Sequence, residues 1–345
     1  MAAPGIKVLS KEEICGLISN ADALDAVEVA YVSLANDPER TGKSCYGPAN
    51  GMINFGDARK EFHIKGAGNQ GNAVFVIKMA SAFYDNPEKF NMPSGNGMVL
   101  VFCAERGVPL AVLQDGGHLT DLRTGAAAAV MAAKLQVKSP EKVNLGVVGA
   151  GIMSHLVIDM YFGLIGHAKY PAREVQNIII WARNAAKAEA FAVEVAQKYG
   201  AQINVIVETT PDDVAAKSEV LFTCTPSREP LLTQKLRPGT VCVALGSDQP
   251  GKRELGDAIL NGDNVFIVCD DIHHCFEAGE SEFLPAERKA SRSRMCHSGD
   301  VFQTPDFRDG NNERVYICDH TGVGTQDAAI ADKLWQRVCA SEGKN

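Results

Sequence analysis

Residues 143–156 read VNLGVVGAGIMSHL, an apolar run, a glycine turn and the start of a helix. This order constrains the chain more than any other stretch. Gly149 permits a sharp strand-to-helix turn, and Gly151 lets the backbone approach a phosphate. The N–H groups of the helix start then face the anion. The third position of the pattern is Ser154 instead of glycine. A bare G-x-G is weak, because glycines also mark ordinary strand-to-helix turns. Here an apolar strand precedes it and alternating strands and helices follow. The turn reads as a dinucleotide site with contacts at Gly149, Ala150, Gly151, Ile152 and Met153. The competing reading is a purely structural turn.

The texture on either side sets the fold class. From 143 onward, VNLGVVG, VQNIIIWA, INVIVE, EVLFTCTP, TVCVALG and NVFIVCD alternate with helical stretches. That is the pattern of a doubly wound parallel sheet, an α/β Rossmann domain. The segment before it reads differently. SKEEICGL starts a helical region, with Ser10 and Glu13 as a capping box. GMINF, EFHIKGAG, AVFVIKMASAFY, GMVLVFCAE and PLAVLQD are short apolar runs parted by Gly, Asn and Pro, with AERG as a hairpin turn. HLTDLRTGAAAAVMAAKL then reads as a helix of small residues. The stretch from 271 to 314 is polar and gives no clear element pattern. RVYICDHTGVGTQDAAIADKLWQRV reads as a strand, a glycine turn and a closing helix that could return to the first domain.

With 345 residues the chain is too long for one ordinary core and suits two domains. Its 34 basic and 42 acidic residues give a net charge of -8. No basic patch dominates, which argues against nucleic acid or an anionic membrane as partner. Ten scattered cysteines, none in C-x-x-C, fit reduced thiols in a cytoplasmic protein. The N-terminal MAAPGIKVLSKEE has no basic segment followed by an apolar core, so no signal peptide is expected. No run approaches the roughly 18 apolar residues of a membrane span.

The second Rossmann strand ends IIIWARN, where an NAD-specific site usually carries an acid for the ribose hydroxyl. Arg183 and Asn184 stand there instead, and an arginine can pair with a 2′-phosphate. The reading is NAD(P), leaning to NADP(H); the alternative is an Arg183 that stacks or faces solvent. Thr223, Thr225 and Gly246, at the ends of later strands, are further candidate cofactor contacts.

Three charged residues outside the glycine motif point to chemistry. Lys78 lies in the apolar run FVIKMA, which suggests burial on both faces and hence an anionic partner. A strand lysine that points to solvent is the alternative. Arg123 begins the small-residue helix, although arginine favours the other end of a helix dipole. A bidentate grip on a substrate carboxylate explains it better than an exposed first-turn arginine. Asp248 follows TVCVALGS at a strand's carboxyl end, where α/β sheets bind ligands. There it could bind an amine or relay a proton; capping a following helix is the alternative. Asp271, His273, His274 and Cys275 are possible metal ligands, but adjacent histidines on a strand point to opposite faces. No metal is expected.

LTDLRTGAAAA, GVVGAG, ALGSDQPGKREL and HTGVGTQDAAIA occur in this order and spacing. In these motifs the chain resembles the ornithine cyclodeaminase/mu-crystallin family over nearly its whole length. The resemblance implies a discontinuous α+β domain that binds substrate and forms a homodimer, here 1–130 plus 320–345. A Rossmann domain, 131–319, is inserted in it. It implies that Lys78 contacts substrate, that Arg123 grips its carboxylate, that Thr124 faces cofactor phosphate and that Asp248 is catalytic. Lys65 is the departure. It stands at the spacing where the family's cyclodeaminases carry a glutamate ahead of the substrate lysine, with Glu61 and His63 nearby. His118 and His320 sit near matched motifs and are candidates to line a pocket.

The leading expectation is an NAD(P)-dependent oxidoreductase at a C–N centre, an imine reductase or amino-acid dehydrogenase with a small amino- or imino-acid substrate. Ornithine cyclodeamination is the first alternative; the Lys65 region fits it poorly. A catalytically weak, crystallin-like ligand carrier is the second. Lys78, Arg123 and Asp248 together argue against it, since a carrier needs no proton relay.

Overall fold

The computed structural model describes residues 5–36, 44–139, 141–200 and 203–343. The chain forms two compact units. One comprises Met1–Arg123 and Val323–Asn345; the other is Thr124–Gly322. The division thus lies at 123/124 and 322/323, a few residues from the expected 130/131 and 319/320.

The first unit holds a six-stranded sheet of β1 (Lys7–Ser10), β2 (Cys45–Met52), β3 (Lys60–Asn69), β4 (Val74–Phe83), β5 (Gly95–Cys103) and β6 (Pro109–Gln114). Its order is β1-β6-β5-β4-β3-β2. The strands β2 to β6 pair as antiparallel neighbours, and β1 adds in parallel at β6. The expected AERG turn joins β5 to β6, with Gly107 at φ 67°. The helical region after Ser10 is two helices rather than one. Ser10 and Glu13 form the expected capping box on Lys11–Leu17. Ser19 and Asp22 form a second box that starts Asn20–Ala35. The expected continuation past Asn36 lies outside the described residues.

One face of this sheet is buried and unusually polar. On β3 the buried side chains are Glu61, His63, Lys65, Ala67 and Asn69, while Phe62 is half-buried and Ile64 exposed. On β4, Val74, Val76 and Lys78 are buried, and Phe75, Ile77 and Met79 are half-buried. The expected burial of Lys78's strand on both faces is therefore corrected. Period-2 alternation holds, and Lys78 points inward because its parity matches Val74 and Val76. The helix Gly324–Ser341 runs along this face. Gly324 permits the approach, since a Cβ there would lie 3.0 Å from the Ala67 Cβ.

The second unit holds an eight-stranded parallel sheet, the Rossmann-type domain. Its strands are β7 (Lys142–Val148), β8 (Glu174–Trp181), β9 (Asn204–Val207), β10 (Val220–Thr223), β11 (Val241–Ala244), β12 (Val265–Cys269), β13 (Met295–His297) and β14 (Val315–Asp319). The order is β13-β12-β14-β11-β10-β7-β8-β9. Every residue of β10, β11 and β14 is buried, as expected for parallel strands covered on both faces. The chain order reverses at β7, which pairs with β8 on one side and β10 on the other. Among the described residues, no helix is long and apolar enough to cross a membrane.

The polar stretch 271–314 folds into short helices and β13. Asp271 caps the helix Ile272–Ala278 by accepting from the N–H groups of His273 and His274. The two histidines thus occupy a helical first turn, not a strand. Asp319, at the end of β14, ties the segment to the sheet. Its carboxylate accepts the N–H groups of Glu280 at 3.0 Å and Ser281 at 2.8 Å. Burial pushes its pKa up to about 6 despite these bonds.

A carboxyl whose pKa is higher folded than unfolded favours the fold most below its unfolded value, near 4. That contribution is lost as pH rises through the folded value, about 6. The stability difference between Asp319→Asn and the parent should therefore shift by roughly 2 kcal/mol in the variant's favour from pH 4 to 7. Urea unfolding at several pH values measures it; a pH-independent difference would refute the assignment.

Candidate functional site

In the second unit, β7 delivers the glycine turn. Gly149 has φ 125°, and a Cβ there would lie 2.9 Å from the Cys224 carbonyl oxygen. Its N–H donates to the Trp181 carbonyl at 2.8 Å. Gly149 is thus required by the fold itself. Gly151 is different. It is the N-cap of the helix Ile152–Gly163, and nothing lies within 4 Å of a Cβ built there. No neighbouring protein atom demands glycine at that place, so the free space above a helix N-terminus suits an anionic ligand. Ile152, the next residue, is exposed, and Met153 is half-buried. The turn sits where the sheet order reverses, the ligand crevice of open α/β sheets. These features fit the pyrophosphate of a dinucleotide.

At the end of β8, Arg183 and Asn184 are exposed. The Asn184 side chain caps the helix Ala185–Tyr199, accepting from the Lys187 N–H at 3.1 Å. Its carbonyl oxygen is committed, and its amide hydrogens are the part left to meet a ligand.

The expectation for Thr223, Thr225 and Gly246 is revised. Thr223 Oγ1 donates to Glu254 Oε2 at 2.7 Å, and Gly246 N–H donates to the same oxygen at 3.0 Å. Thr225 N–H and Oγ1 both donate to Glu254 Oε1 at 2.7 Å. The donors are spent on a fully buried carboxyl, so these residues brace the strand ends. Burial raises the Glu254 pKa, and the four bonds only partly oppose this. Glu254 lies in the quoted GKREL element, but nothing in the sequence marks it as the hub.

Asp248 follows β11, as expected. The next helix is Asp257–Leu260, so Asp248 caps none. Its Oδ1 accepts from Lys252 Nζ at 2.7 Å. Lys252 is buried, whereas Asp248 retains 34% side-chain exposure. A buried cation therefore holds a carboxylate that still reaches solvent. Cys275, expected as a weak metal candidate, comes close to Cys269 and Asp319. Burial pushes both thiols up, and a protonated thiol is a poor ligand. His320 Nε2 lies 3.4 Å from Ser298 Oγ. Thr124, half-buried, is the first residue of this unit.

In the first unit the structure brings Lys65, Lys78 and Arg123 together. Lys65 and Lys78 are directly opposite in the β3–β4 register, so they share the inner face. Lys65, Lys78 and Arg123 are only 4%, 2% and 5% exposed. Arg123 lies in the second turn of the helix His118–Leu135, not at its start. Arg123 Nε donates to Asp327 Oδ1 and Nη1 to Gln326 Oε1, each at 2.9 Å. The expected free bidentate fork is therefore corrected. Nε is occupied, and the Nη2 end remains for a ligand. Lys78 Nζ lies 3.6 Å from Asp327 Oδ2. Burial would raise the Asp327 pKa, but Arg123, Lys78 and Lys65 hold it below its usual value. Burial pushes Asp121, two residues before Arg123, up to about 6 against the pull of Arg123. His118 starts the same helix; burial and Lys11 lower its pKa.

Glu61 is also buried on the inner face of β3, 3.7 Å from His63 Nε2. It is opposite Ala82, whereas Lys65 is opposite Lys78. Four residues of strand, roughly 13 Å, separate the two positions. Lys65, not Glu61, is the cross-strand neighbour of Lys78.

Sequence comparisons agree with this architecture. A putative dehydrogenase of Rhizobium meliloti is 31% identical over 341 residues, covering 98% of this chain and 97% of that protein. An alanine dehydrogenase of Archaeoglobus fulgidus is 28% identical, with 96% and 94% covered. The fold is similar to that of the Thermococcus litoralis Delta(1)-pyrroline-2-carboxylate reductase, solved with NADH and L-proline. There the TM-score is 0.81 at 21% identity, covering 98% of this chain and 99% of that one. The profile of the ornithine cyclodeaminase/mu-crystallin family matches residues 6–342, and the chain belongs to that family.

Proposed function

We propose that the protein is a nicotinamide-dependent oxidoreductase at a C–N centre, interconverting a small 2-imino acid and its amino acid. The observation that carries this reading is the cross-strand pair Lys65–Lys78 beside Arg123. Three buried cations gathered around Asp327, with Asp121 near Arg123, suit a substrate carboxylate. They suit a second substrate amine poorly. The relatives named alanine dehydrogenase and pyrroline-2-carboxylate reductase act on this class of compound.

A bound nicotinamide dinucleotide would supply or accept the hydride. Gly151 and the N–H groups after it would hold its pyrophosphate. The Nη2 end of Arg123 and the Lys78 ammonium orient the substrate carboxylate, with Lys65 adding charge. Asp248, fixed by Lys252, stabilises the iminium and passes a proton at the nitrogen. Thr124 faces cofactor phosphate. Arg183, exposed at the end of β8 with no acid adjacent to it in sequence, supports a lean to NADP(H); the Thermococcus reductase holds NADH. A homodimer is part of the proposal. Ile6, Val8, Ile64 and Met98, all in the first unit, leave large apolar side chains exposed.

Ornithine cyclodeamination is the second reading, favoured by one observation. Glu61 is buried on the same face of β3 as Lys65, and it supplies a carboxylate that a diamine would need.

The deciding assay supplies NADH or NADPH with preformed cyclic imines, or with 2-oxo acids plus ammonia or amines, and follows absorbance. A parallel reaction contains L-ornithine and catalytic NAD+. Imine-dependent oxidation of the reduced cofactor is expected, faster with NADPH. Proline and ammonia formed without net cofactor turnover would replace this reading with the second.

The two glycines should separate. Gly151→Ala is expected to leave thermal stability unchanged and to weaken reduced-cofactor binding, read by fluorescence titration, about tenfold. Gly149→Ala should lower stability by roughly 1–3 kcal/mol. Equal loss of stability in both would remove the ligand argument for Gly151.

Asp248→Asn should cut kcat about 10²-fold or more with cofactor affinity retained. Full activity in that variant would end its proton-relay role.

A further inference from the structure

The first turn of the helix Gly324–Ser341 carries a carboxylate that the reading above leaves without a task. Asp327 is 3% exposed. Its Oδ1 takes Arg123 Nε, and its neighbour Gln326 takes Arg123 Nη1. Its Oδ2 is buried without a hydrogen-bond donor and faces Lys78 Nζ at 3.6 Å. The turn that carries it is pinned from three directions. Gly324 packs against Gly66 and Ala67 of β3. The Thr325 carbonyl accepts from the buried Asn69 Nδ2 at 3.0 Å. Gln326 Oε1 also accepts the Val323 N–H at 3.3 Å. A helix-capping role would not require this, since Asp327 makes no bond to its own helix's first N–H groups among the described residues.

We propose that Asp327 is the positioning residue of the carboxylate-binding cluster. It fixes the guanidinium plane of Arg123 through Nε, so that the Nη2 end is presented to substrate. Its negative charge stabilises the Lys78 ammonium at a place where burial works against a cation. The carboxylate thereby lets two cations on different elements act as one anion subsite. This rests on the proposed substrate role of Lys78 and Arg123. It adds the residue that sets their geometry and protonation.

The alternative is a tie that only fastens the C-terminal helix to the sheet. Two variants separate the two roles. Asp327→Asn keeps the shape and removes the charge. It is expected to move the alkaline limb of kcat/KM for the imine substrate to lower pH, because Lys78 loses its proton more easily. KM should rise about tenfold on the alkaline side and little near pH 6.5, with cofactor affinity unchanged. Asp327→Glu keeps the charge and moves it by one methylene. It should leave the limb in place and raise KM about tenfold with kcat less affected. Unchanged KM in the Glu variant would overturn the positioning role, and this holds even where the Asn variant does not fold.

A substrate-free measurement keeps the inference separate from the activity proposed above. The Lys78 titration is followed by NMR of the full chain carrying 13Cε-labelled lysine, with Lys78→Met for assignment. A lower midpoint in Asp327→Asn supports the inference; an unchanged midpoint overturns it. Absence of imine reduction in the parent protein would sink the proposed reaction, while the midpoint still decides the role of Asp327.

Discussion

The hydrogen bond from Arg123 to Asp327 joins residues 204 apart in sequence. Arg123 is the last residue of the first unit before the chain leaves it, and Asp327 lies just after the chain returns. One ion pair therefore closes the loop formed by the whole Rossmann-type unit. The entropy cost of closing a loop grows only slowly with its length, so a large insertion is tolerable where its ends are well fixed. Breaking such a buried pair by removing one partner typically costs about 3–5 kcal/mol, because the remaining charge is left unmatched. Asp327 also bears on the charges of the strands beside it. Lys65 and Lys78 are like charges directly opposite on neighbouring strands, an arrangement that destabilises a sheet when nothing offsets it. Asp327 supplies the offset.

The second unit solves a related problem with one acid. Three strand-end residues, Thr223, Thr225 and Gly246, converge on Glu254. Glu280 takes the backbone N–H groups of Glu254 and Leu255 in turn. Burial raises the pKa of both carboxyls. The result is a polar girder under the carboxyl ends of β10 and β11. It holds the loop that carries Asp248, while the Lys252 ammonium holds Asp248 itself.

Much of this was legible from pattern, and the omissions have physical causes. The glycine turn, the parallel strands and the Ser10–Glu13 box are local, so sequence shows them. The box at Ser19 and Asp22 is equally local and has the same spacing; it was hidden inside what looked like one apolar helix. β1 has only four residues, and its partner β6 lies a hundred positions away, so no local signal could reveal it. The pairing of Lys65 with Lys78 follows from the hairpin loop between Asn69 and Val74, and counting outward from the midpoint between Gly71 and Asn72 gives it. Asp327 stood in the quoted GTQDAA motif. Its composition reads as a favourable acid in a helix's first turn, and only the long-range pair with Arg123 gives it another meaning. Thr223 and Thr225 show the opposite case. Strand-end hydroxyls suit a ligand, but a buried acid nearby satisfies them first.

The cluster also treats its two aspartates in opposite ways. Asp327 accepts directly from Arg123, and the surrounding cations outweigh burial, which holds it ionised. Asp121 lies two residues from Arg123 on the same helix and accepts no hydrogen bond from it among the described residues. There burial outweighs the attraction, and the carboxyl is pushed up to about 6. The three cations around Asp327, with the bond from Arg123 added to them, hold that carboxylate low, while burial prevails at Asp121. Environments that push like groups apart are how a site assigns distinct acid–base states to the same side chain. Here the separation comes from where Arg123, Lys78 and Lys65 stand relative to each carboxyl.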